Sequence, residues 1–212
     1  HSLTKFISGH GTSMGGVVVE SGKIEWDTYN KFSYMTDPSS SYHGLKFTET
    51  FGDFAYTMKL RAEVLRDLGY SLSPTNAFNI LTGAETLHLR MNQHISNALL
   101  VAEYLSHHPK VHHVSYAGLK SNPYYELAKK YMPKGPGSVF TISLKGGYDA
   151  CVSLVENVEL LSHVANLGDT RSLIIHPAST THNQLSNEEK ILAGAGPDII
   201  RLSIGIETVN DI

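Results

Sequence analysis

The segment SLTKFISGHG, residues 2–11, is the most distinctive stretch of the sequence. A single lysine, Lys5, follows two residues with hydroxyl side chains and precedes a glycine-rich end. Gly9 and Gly11 begin a G-x-G pattern, but Met14 stands where a dinucleotide-binding fingerprint has its third glycine, so that fingerprint is incomplete. Taken alone, the pattern around Lys5 is also typical of an exposed surface lysine. Only the rest of the sequence can therefore indicate whether Lys5 is a functional residue.

The stretch that follows changes from apolar to polar. Gly15 and Gly16 lead into the β-branched run Val17-Val18-Val19, which predicts a short buried strand. Residues 27–53 are polar and rich in turn-forming residues. Long irregular segments of this kind within compact domains are usually functional or interfacial.

Two helical stretches come next. In residues 54–68 the apolar positions are spaced by three or four, which predicts a helix with Gly69 as the glycine just beyond its end. Residues 74–105 predict a long helix or a pair of helices. Gly83 is expected to mark either a break or a point of close packing.

The last hundred residues alternate predicted strands with predicted helices. Ser186 and Glu189 form a capping box, which marks one helix start clearly. The alternation predicts an α/β or α+β unit, with a domain boundary near residues 82–90. The predicted strands are 111–114, 139–144, 172–176 and 199–204, and the predicted helices are 124–131, 148–161 and 186–193.

The amino-acid composition excludes several classes of protein. The 212 residues are 41% hydrophobic and 17% charged, which is ordinary for a globular chain and excludes a disordered one. The net charge of −3 gives no basic excess for a nucleic-acid surface, and no apolar run approaches the ~18 residues of a membrane span. Cys151 is the only cysteine, which excludes an intrachain disulfide and fits a reducing compartment.

Histidines are frequent but do not form a metal-binding pattern. The cluster of His107, His108, His112 and His113 has no cysteine or carboxylate at metal-ligand spacing, so we expect a solvated turn.

Four ordered segments resemble the Cys/Met-metabolism family of pyridoxal-phosphate (PLP) enzymes, and the resemblance covers essentially all 212 residues. The lysine segment resembles the family pattern of Ser, any residue, Thr and the cofactor lysine, followed by Gly-His. Residues 71–91 are similar to the linking helix of the family. The stretches SLIIHPASTTH (172–182) and IRLSIGIE (200–207) are similar to its H-P-A-S-x-T-H and R-[LV]-S-[IV]-G-x-E segments.

The resemblance implies roles for five residues. Lys5 would form the Schiff base with PLP, because a lysine amine condenses with the cofactor aldehyde. Ser2 and Thr4 would bind the cofactor phosphate, the alternative being caps of a strand end. Arg201 would bind the substrate carboxylate with its planar fork, the alternative being a structural ion pair. Asn166 would help to hold the same carboxylate, although relatives often have Ser there.

The other polar residues of these motifs are expected to be structural. His10, His176 and His182 lie in turns where histidines are more often packed and hydrogen-bonded than catalytic. Arg90 and Arg171 are expected to be structural or to lie at interfaces. We therefore predict no metal site.

The resemblance also implies a fold and an assembly. The fold would be α/β, with residues 1–85 forming the C-terminal part of the large domain of a fold type I PLP enzyme (the aspartate-aminotransferase-like fold). Residues 86–212 would form the small C-terminal α+β domain. The family implies a cytoplasmic homotetramer built of catalytic dimers, without nucleic-acid or membrane partners.

Two segments favour one branch of the family. Residues 41–53 with the following helix look like the longer insertion of the O-acetylhomoserine sulfhydrylases, and residues 10–23 also resemble that branch. The expected reaction replaces the acetate of O-acetylhomoserine with sulfide and releases homocysteine. Cystathionine γ-synthase and the methionine or cystathionine γ-lyases remain alternatives within the family.

The two ends of the sequence predict that it is a piece of a longer protein, with more residues missing at the N-terminal end than at the C-terminal end. The chain begins without Met, and residues 207–211 look like a helix start. The stacking Tyr, the Asp for the pyridine nitrogen and the phosphate-binding turn precede the lysine in this family. A non-catalytic interaction module is therefore a second hypothesis, although a module would have no need of Ser2, Thr4, Lys5 and Arg201.

Overall fold

The computed structural model describes residues 1–212, with the exception of the side chain of Tyr29. Backbone contacts divide the chain into two compact units. The first unit contains residues 1–2 and 15–77, and the second contains residues 3–14 and 78–212. The lysine segment therefore belongs to the same unit as the second half of the chain, whereas the domain boundary at residues 85 and 86 stays a prediction.

The first unit is built from short helical turns around a small core. Met35, Phe47 and Ala55 are its buried apolar residues among the described side chains. Its helices are α1 (Ser33–Thr36), α2 (Phe47–Phe51), α3 (Ala55–Lys59) and α4 (Arg66–Leu68), with a π-helical turn at Leu60–Leu65 and 3₁₀ turns at Trp26–Tyr29, Ser40–Tyr42 and Gly52–Phe54.

One prediction for the first unit is confirmed and one is wrong. The predicted helix over residues 54–68 is present as continuous helical turns from Ala55 to Leu68, and Gly69 follows it with φ +69°. Val17, Val18 and Val19 are exposed instead of forming a buried strand. The only described pairing there is a single bridge between Ser2 and Gly16, so the valines have no neighbouring strand against which to pack.

The predicted helix pair is present as α5 (Pro74–Glu85) and α6 (Leu87–Ser106). The break falls at Thr86, and Gly83 is instead a point of close packing. A Cβ atom at Gly83 would overlap the carbonyl oxygen of Ser8, so only glycine lets the end of α5 approach the lysine segment this closely.

The second unit contains one mixed sheet of five strands. The strands lie in the order β1-β2-β5-β4-β3, and all neighbours are antiparallel except the parallel pair β3 and β4. Four strands were predicted, whereas the two-residue β3 was not, because so short a strand leaves no periodic pattern. The strands are β1 (Val111–Ser115), β2 (Val139–Leu144), β3 (Ser162–His163), β4 (Leu173–Ile175) and β5 (Ile199–Ser203).

Three further helices complete this unit: α7 (Tyr125–Tyr131), α8 (Gly147–Asn157) and α9 (Asn187–Leu192). The predicted capping box of Ser186 and Glu189 at the start of α9 is confirmed. Helix α8 ends at Asn157, earlier than predicted. Val158 and Leu161, which belonged to the predicted helix, instead lie in the following segment and pack against the core.

One face of the sheet forms the main apolar core. Ala98 and Ala102 of α6 and Cys151 and Val155 of α8 pack there with Ile200 and the other core residues. Burial raises the pKa of the Cys151 thiol to about 11, so this cysteine is a packed, unreactive group. Among the described residues, no helix has the length and apolarity that crossing a bilayer would require.

Candidate functional site

Strand β5 carries its polar side chains on the face opposite to this core. Ile200 and Leu202 point into the core, and strand alternation places Arg201 and Ser203 on the other side. Arg201 Nη2 donates to the backbone oxygen of Asn166 at 3.1 Å. Ser203 Oγ accepts from the backbone N–H of Gly168 at 3.0 Å. The loop of residues 166–168 is therefore fixed to this face of β5.

The same loop contacts the lysine segment. Lys5 Nζ donates to Asn166 Oδ1 at 2.5 Å, which joins residues 161 positions apart in the sequence. A Cβ atom at Gly168 would lie 2.6 Å from the backbone nitrogen of Phe6, and the backbone N–H of Thr170 donates to the carbonyl oxygen of Gly9 at 2.8 Å. Asn166 thus contacts Lys5 through its side chain and Arg201 through its backbone.

Arg201 is a half-buried cation without a protein counter-ion. Among the described residues, no carboxylate forms a salt bridge with it. Burial lowers the pKa of its guanidinium, because removing a cation from water disfavours the charged form. A half-buried guanidinium with donors to spare is well suited to bind the carboxylate of a small molecule.

Lys5 also lacks an anionic partner. Its amine is partly buried, and its hydrogen bond to Asn166 is with a neutral amide oxygen. No salt bridge to a carboxylate is recorded for it within the described part of the chain. The amine is therefore held in place without being tied to a counter-ion, which suits a lysine that has to react with a carbonyl group.

The two predicted phosphate ligands are less well defined by contacts. Ser2 belongs to the first unit, where its backbone pairs with Gly16 and its side chain is exposed. Thr4 lies one residue before Lys5 and is half-buried. Their roles in phosphate binding stay predictions, as does the carboxylate-binding role of the Asn166 side chain.

The three histidines of the motifs differ in their surroundings. His176 is fully buried, with Nδ1 facing Ser179 Oγ at 2.9 Å and Nε2 facing the oxygen of Pro197 at 3.0 Å. Burial lowers its pKa, so it is a neutral packed group. His10 is exposed and contacts the oxygen of Ser8, and His182 contacts the hydroxyl of Thr181.

Arg90 was expected to be structural or to lie at an interface, and the sequence did not indicate that it contacts the lysine segment. Its side chain is only 5% exposed and donates hydrogen bonds to the backbone oxygens of Phe6 and Ile7, directly after Lys5. The spacing along the sequence does indicate that Arg90 is buried, because it lies three residues after Leu87 and four before His94, on the buried face of α6. A charged residue at such a position needs buried polar partners.

Comparisons with known proteins agree with one another. The family model described as Cys/Met metabolism PLP-dependent enzyme matches residues 1–212. The O-acetyl-L-homoserine sulfhydrylase of Leptospira meyeri and the homocysteine synthase of Schizosaccharomyces pombe are each 48% identical to this chain over its whole length. The chain spans about half the length of these curated relatives.

A solved structure is similar over the whole chain as well. It is the 2.35 Å crystal structure of a Campylobacter jejuni protein assigned as an O-acetylhomoserine (thiol)-lyase, which contains a pyridoxyl-lysine phosphate. The TM-score is 0.92 at 40% sequence identity, and the match covers all of this chain and 50% of that one.

Proposed function

Because the chain belongs to the Cys/Met metabolism family of PLP-dependent enzymes, we propose that it supplies the lysine and the carboxylate-binding arginine of an O-acetylhomoserine sulfhydrylase. Its mixed α/β fold is that of part of a fold type I PLP enzyme. The observation that carries the proposal is the single loop that holds both Lys5 Nζ and Arg201 Nη2 through Asn166.

The residues present fit the cofactor that the family requires. Lys5 offers an amine without a carboxylate partner, and Gly168 lets the chain pass close to the backbone of Phe6. When bound, PLP would accept the electrons released when the bonds at the substrate Cα are broken. We assign Lys5 as its covalent attachment point, with Ser2 and Thr4 as phosphate ligands.

Each of the three site residues has a separate task toward the substrate. Arg201 binds the α-carboxylate with its planar fork and so orients the Cα–H bond toward the lysine. Lys5 Nζ, once free, takes the proton from Cα, gives it up, and can then take one from Cβ; after sulfur has added, the reverse transfers return a proton to Cβ and one to Cα. Asn166 Oδ1 holds that amine at 2.5 Å between these transfers. The bond from Cγ to the acetate oxygen breaks and one from Cγ to sulfur forms, giving homocysteine and acetate.

The choice of reaction within the family rests on the named relatives. Those reported above are a sulfhydrylase, a homocysteine synthase and an O-acetylhomoserine (thiol)-lyase, so they do not favour a cystathionine γ-synthase or a γ-lyase. Membership in the Cys/Met-metabolism family also argues against a non-catalytic module, as does the finding that Lys5 and Arg201 have no salt bridge among the described residues.

The wider organisation follows from the same proposal. Residues 1–85 would complete the large cofactor-binding domain, and residues 86–212 would form the small domain. The substrates are small molecules, namely an amino-acid ester and sulfide. We propose a homotetramer of catalytic dimers in the cytoplasm, in keeping with the single, buried thiol of Cys151.

The test uses the full-length protein. Borohydride reduction of the PLP-loaded protein, followed by peptide mass spectrometry, should place a pyridoxyl group on Lys5, and Lys5→Ala should remove both the label and homocysteine formation. Lys31→Ala, which changes an exposed lysine, is the matched control and should retain both. Rates with sulfide, cysteine and methionine then separate the possible reactions. A label on another lysine, or faster turnover with cysteine than with sulfide, would contradict the proposal.

A further inference from the structure

Arg90 is a buried arginine whose partners are almost all backbone carbonyl groups. Its Nη1 donates to Phe6 at 2.8 Å, and its Nη2 donates to Ile7 at 3.1 Å and to Gly83 at 2.7 Å. Its Nε donates to the hydroxyl of Thr86 at 3.2 Å. Within the described part of the chain it forms no salt bridge, so the dipoles of three carbonyl groups and one hydroxyl compensate its charge.

Burying a guanidinium that has no salt bridge among the described residues costs free energy that a purely structural contact would not need. Burial lowers the pKa of the Arg90 guanidinium, which reflects the loss of its hydration. Apolar side chains of similar size often replace buried ion pairs without loss of stability. A guanidinium, however, offers several donors in a rigid fork and can fix three carbonyl groups at once, which no apolar residue can do.

Two of the three carbonyl groups that Arg90 fixes, those of Phe6 and Ile7, belong to the turn that carries Lys5, and the third, that of Gly83, belongs to α5. The backbone N–H of Gly9 donates to the oxygen of Lys5 at 2.8 Å, and that of Ser8 donates to Leu3 at 3.0 Å. The rings of Phe6 and His94 pack perpendicular to each other, with 5.3 Å between their centroids. The backbone after Lys5 is thus held by α6, while the tip of its side chain is held by Asn166.

We infer that Arg90 is a positioning residue for Lys5: it sets the backbone from which the reactive amine projects. This inference rests on the proposed function, because it assigns Arg90 to the lysine that attaches the cofactor. Arg201 lies on a different element, so substrate binding should be nearly independent of Arg90. Loss of the Arg90 guanidinium should therefore slow the steps that use the Lys5 amine, while KM stays almost unchanged.

The experiment compares Arg90→Lys with Asn97→Ala in the full-length protein. Asn97 is also buried on the same helix and donates to the backbone oxygens of Gly205 and Glu207, which do not belong to the lysine segment. The readouts are the rate at which added PLP becomes borohydride-trappable on Lys5, kcat and KM for O-acetylhomoserine, and the thermal midpoint. A displaced catalytic group costs up to about 100-fold in rate, so Arg90→Lys should lower the trapping rate and kcat by about 10- to 100-fold.

The control separates positioning from stability. Asn97→Ala should lower the thermal midpoint at least as much as Arg90→Lys, yet keep the trapping rate and kcat within about threefold, because the bonds it loses do not involve the lysine segment. Equal proportional losses in the two variants, or a large rise of KM in Arg90→Lys, would overturn the inference.

A milder variant covers the case in which Arg90→Lys does not fold. Thr86 is exposed, and its hydroxyl accepts the bond from Arg90 Nε, so Thr86→Val loosens the fork but keeps the charge. We expect the trapping rate to fall by about threefold, because only one of the four hydrogen bonds of Arg90 is lost and a factor of this size corresponds to a typical net hydrogen bond. An unchanged rate in Thr86→Val would count against the inference. Absence of both labelling and turnover in the wild type would instead contradict the proposed function.

Discussion

Strand β5 has two faces that differ in what they do. On one face Ile200 and Leu202 are buried in the apolar core, with no more than 4% of either residue exposed. On the other face Arg201 and Ser203 make hydrogen bonds to the loop that contacts Lys5. Because successive side chains of a strand point to opposite sides, one five-residue segment separates the residues that stabilise the fold from those that build the site.

This difference predicts how substitutions should divide. Changes on the core face should lower the free energy of unfolding and leave the activity of the folded molecules nearly intact. On the site face, replacing Arg201 should lower activity at little cost in stability, whereas replacing Ser203, which anchors the loop, should lower both. The predictions below test this division in the full-length protein.

The largest expected effect is that of Arg201→Leu. Removing the cation that binds the substrate carboxylate should lower kcat/KM for O-acetylhomoserine by about 1,000-fold, which corresponds to about 4 kcal/mol. The thermal midpoint should stay close to that of the wild type, since the substitution also removes a half-buried charge without a counter-ion. Arg61→Leu, at an exposed position, is the control and should change kcat/KM by less than twofold. A loss below tenfold in Arg201→Leu would exclude the assigned role.

On the core face, Ile200→Ala should destabilise the protein by about 2–5 kcal/mol, because it leaves a cavity at a fully buried position. The measurement is denaturant-induced unfolding, together with kcat per folded molecule, which should stay within about threefold. Ile199→Ala, at the half-buried neighbouring position, should cost less than half as much. If Ile200→Ala instead abolished activity in well-folded protein, the two faces would not be separable.

Ser203→Ala tests whether the site face also contributes to stability. The substitution leaves the backbone N–H of Gly168 without its acceptor, which should cost about 1–3 kcal/mol. The loop that holds Lys5 and Arg201 would loosen, so kcat/KM should fall by about tenfold, in keeping with a loss of that size. Ser203→Thr keeps the hydroxyl and should restore most of both quantities. Equal effects of Ala and Thr would show that the hydroxyl is not what matters.

The smallest expected effect is a pH dependence of stability that involves His94 of α6, next to Ile204 just after β5. His94 Nδ1 faces the backbone oxygen of Ile204 at 2.6 Å, while its buried Nε2 has no partner among the described residues. Burial lowers its pKa below the ordinary 6.5. The charge of Arg90 acts in the same direction, whereas the bond to Ile204 and the charges of Glu207 and Asp169 oppose the shift. In the folded protein His94 therefore takes up a proton only at a lower pH than in the unfolded chain.

Stability should accordingly be highest above pH 6.5 and fall as the pH decreases below it, by at most about 1.4 kcal/mol per pH unit for each such histidine. His176, whose pKa burial also lowers, should add to the fall. Unfolding of His94→Gln between pH 7.5 and 5.5 should give a shallower slope than the wild type, whereas the exposed-site variant His112→Gln should not. An unchanged slope in His94→Gln would contradict this interpretation.

Much of the fold could be predicted from the sequence because its signals are local. The helix ended by Gly69, the helix pair around Thr86, the capping box at Ser186 and four of the five strands all follow from spacing within a few residues. The prediction for Val17, Val18 and Val19 was wrong for the same reason. A β-branched run predicts a strand, but a strand forms only where a neighbouring strand pairs with it.

The candidate site was predictable only in part. The motifs singled out Lys5, Asn166 and Arg201, and the structure brings these three together. Ser203 and Arg90 were not assigned to the site, because their partners are backbone groups of Gly168, Phe6 and Ile7, which carry no side-chain signature.

The sequence by itself determined which residues can do the chemistry and which segments form helices and strands, since residue type and periodicity are properties of neighbours along the chain. Tertiary structure alone decided that Asn166 lies between Lys5 and Arg201, and that a buried arginine holds the turn after the lysine. The physical reason is distance along the chain: Lys5 and Asn166 are 161 positions apart, and such a contact forms only when the sheet and α6 bring both segments to one place.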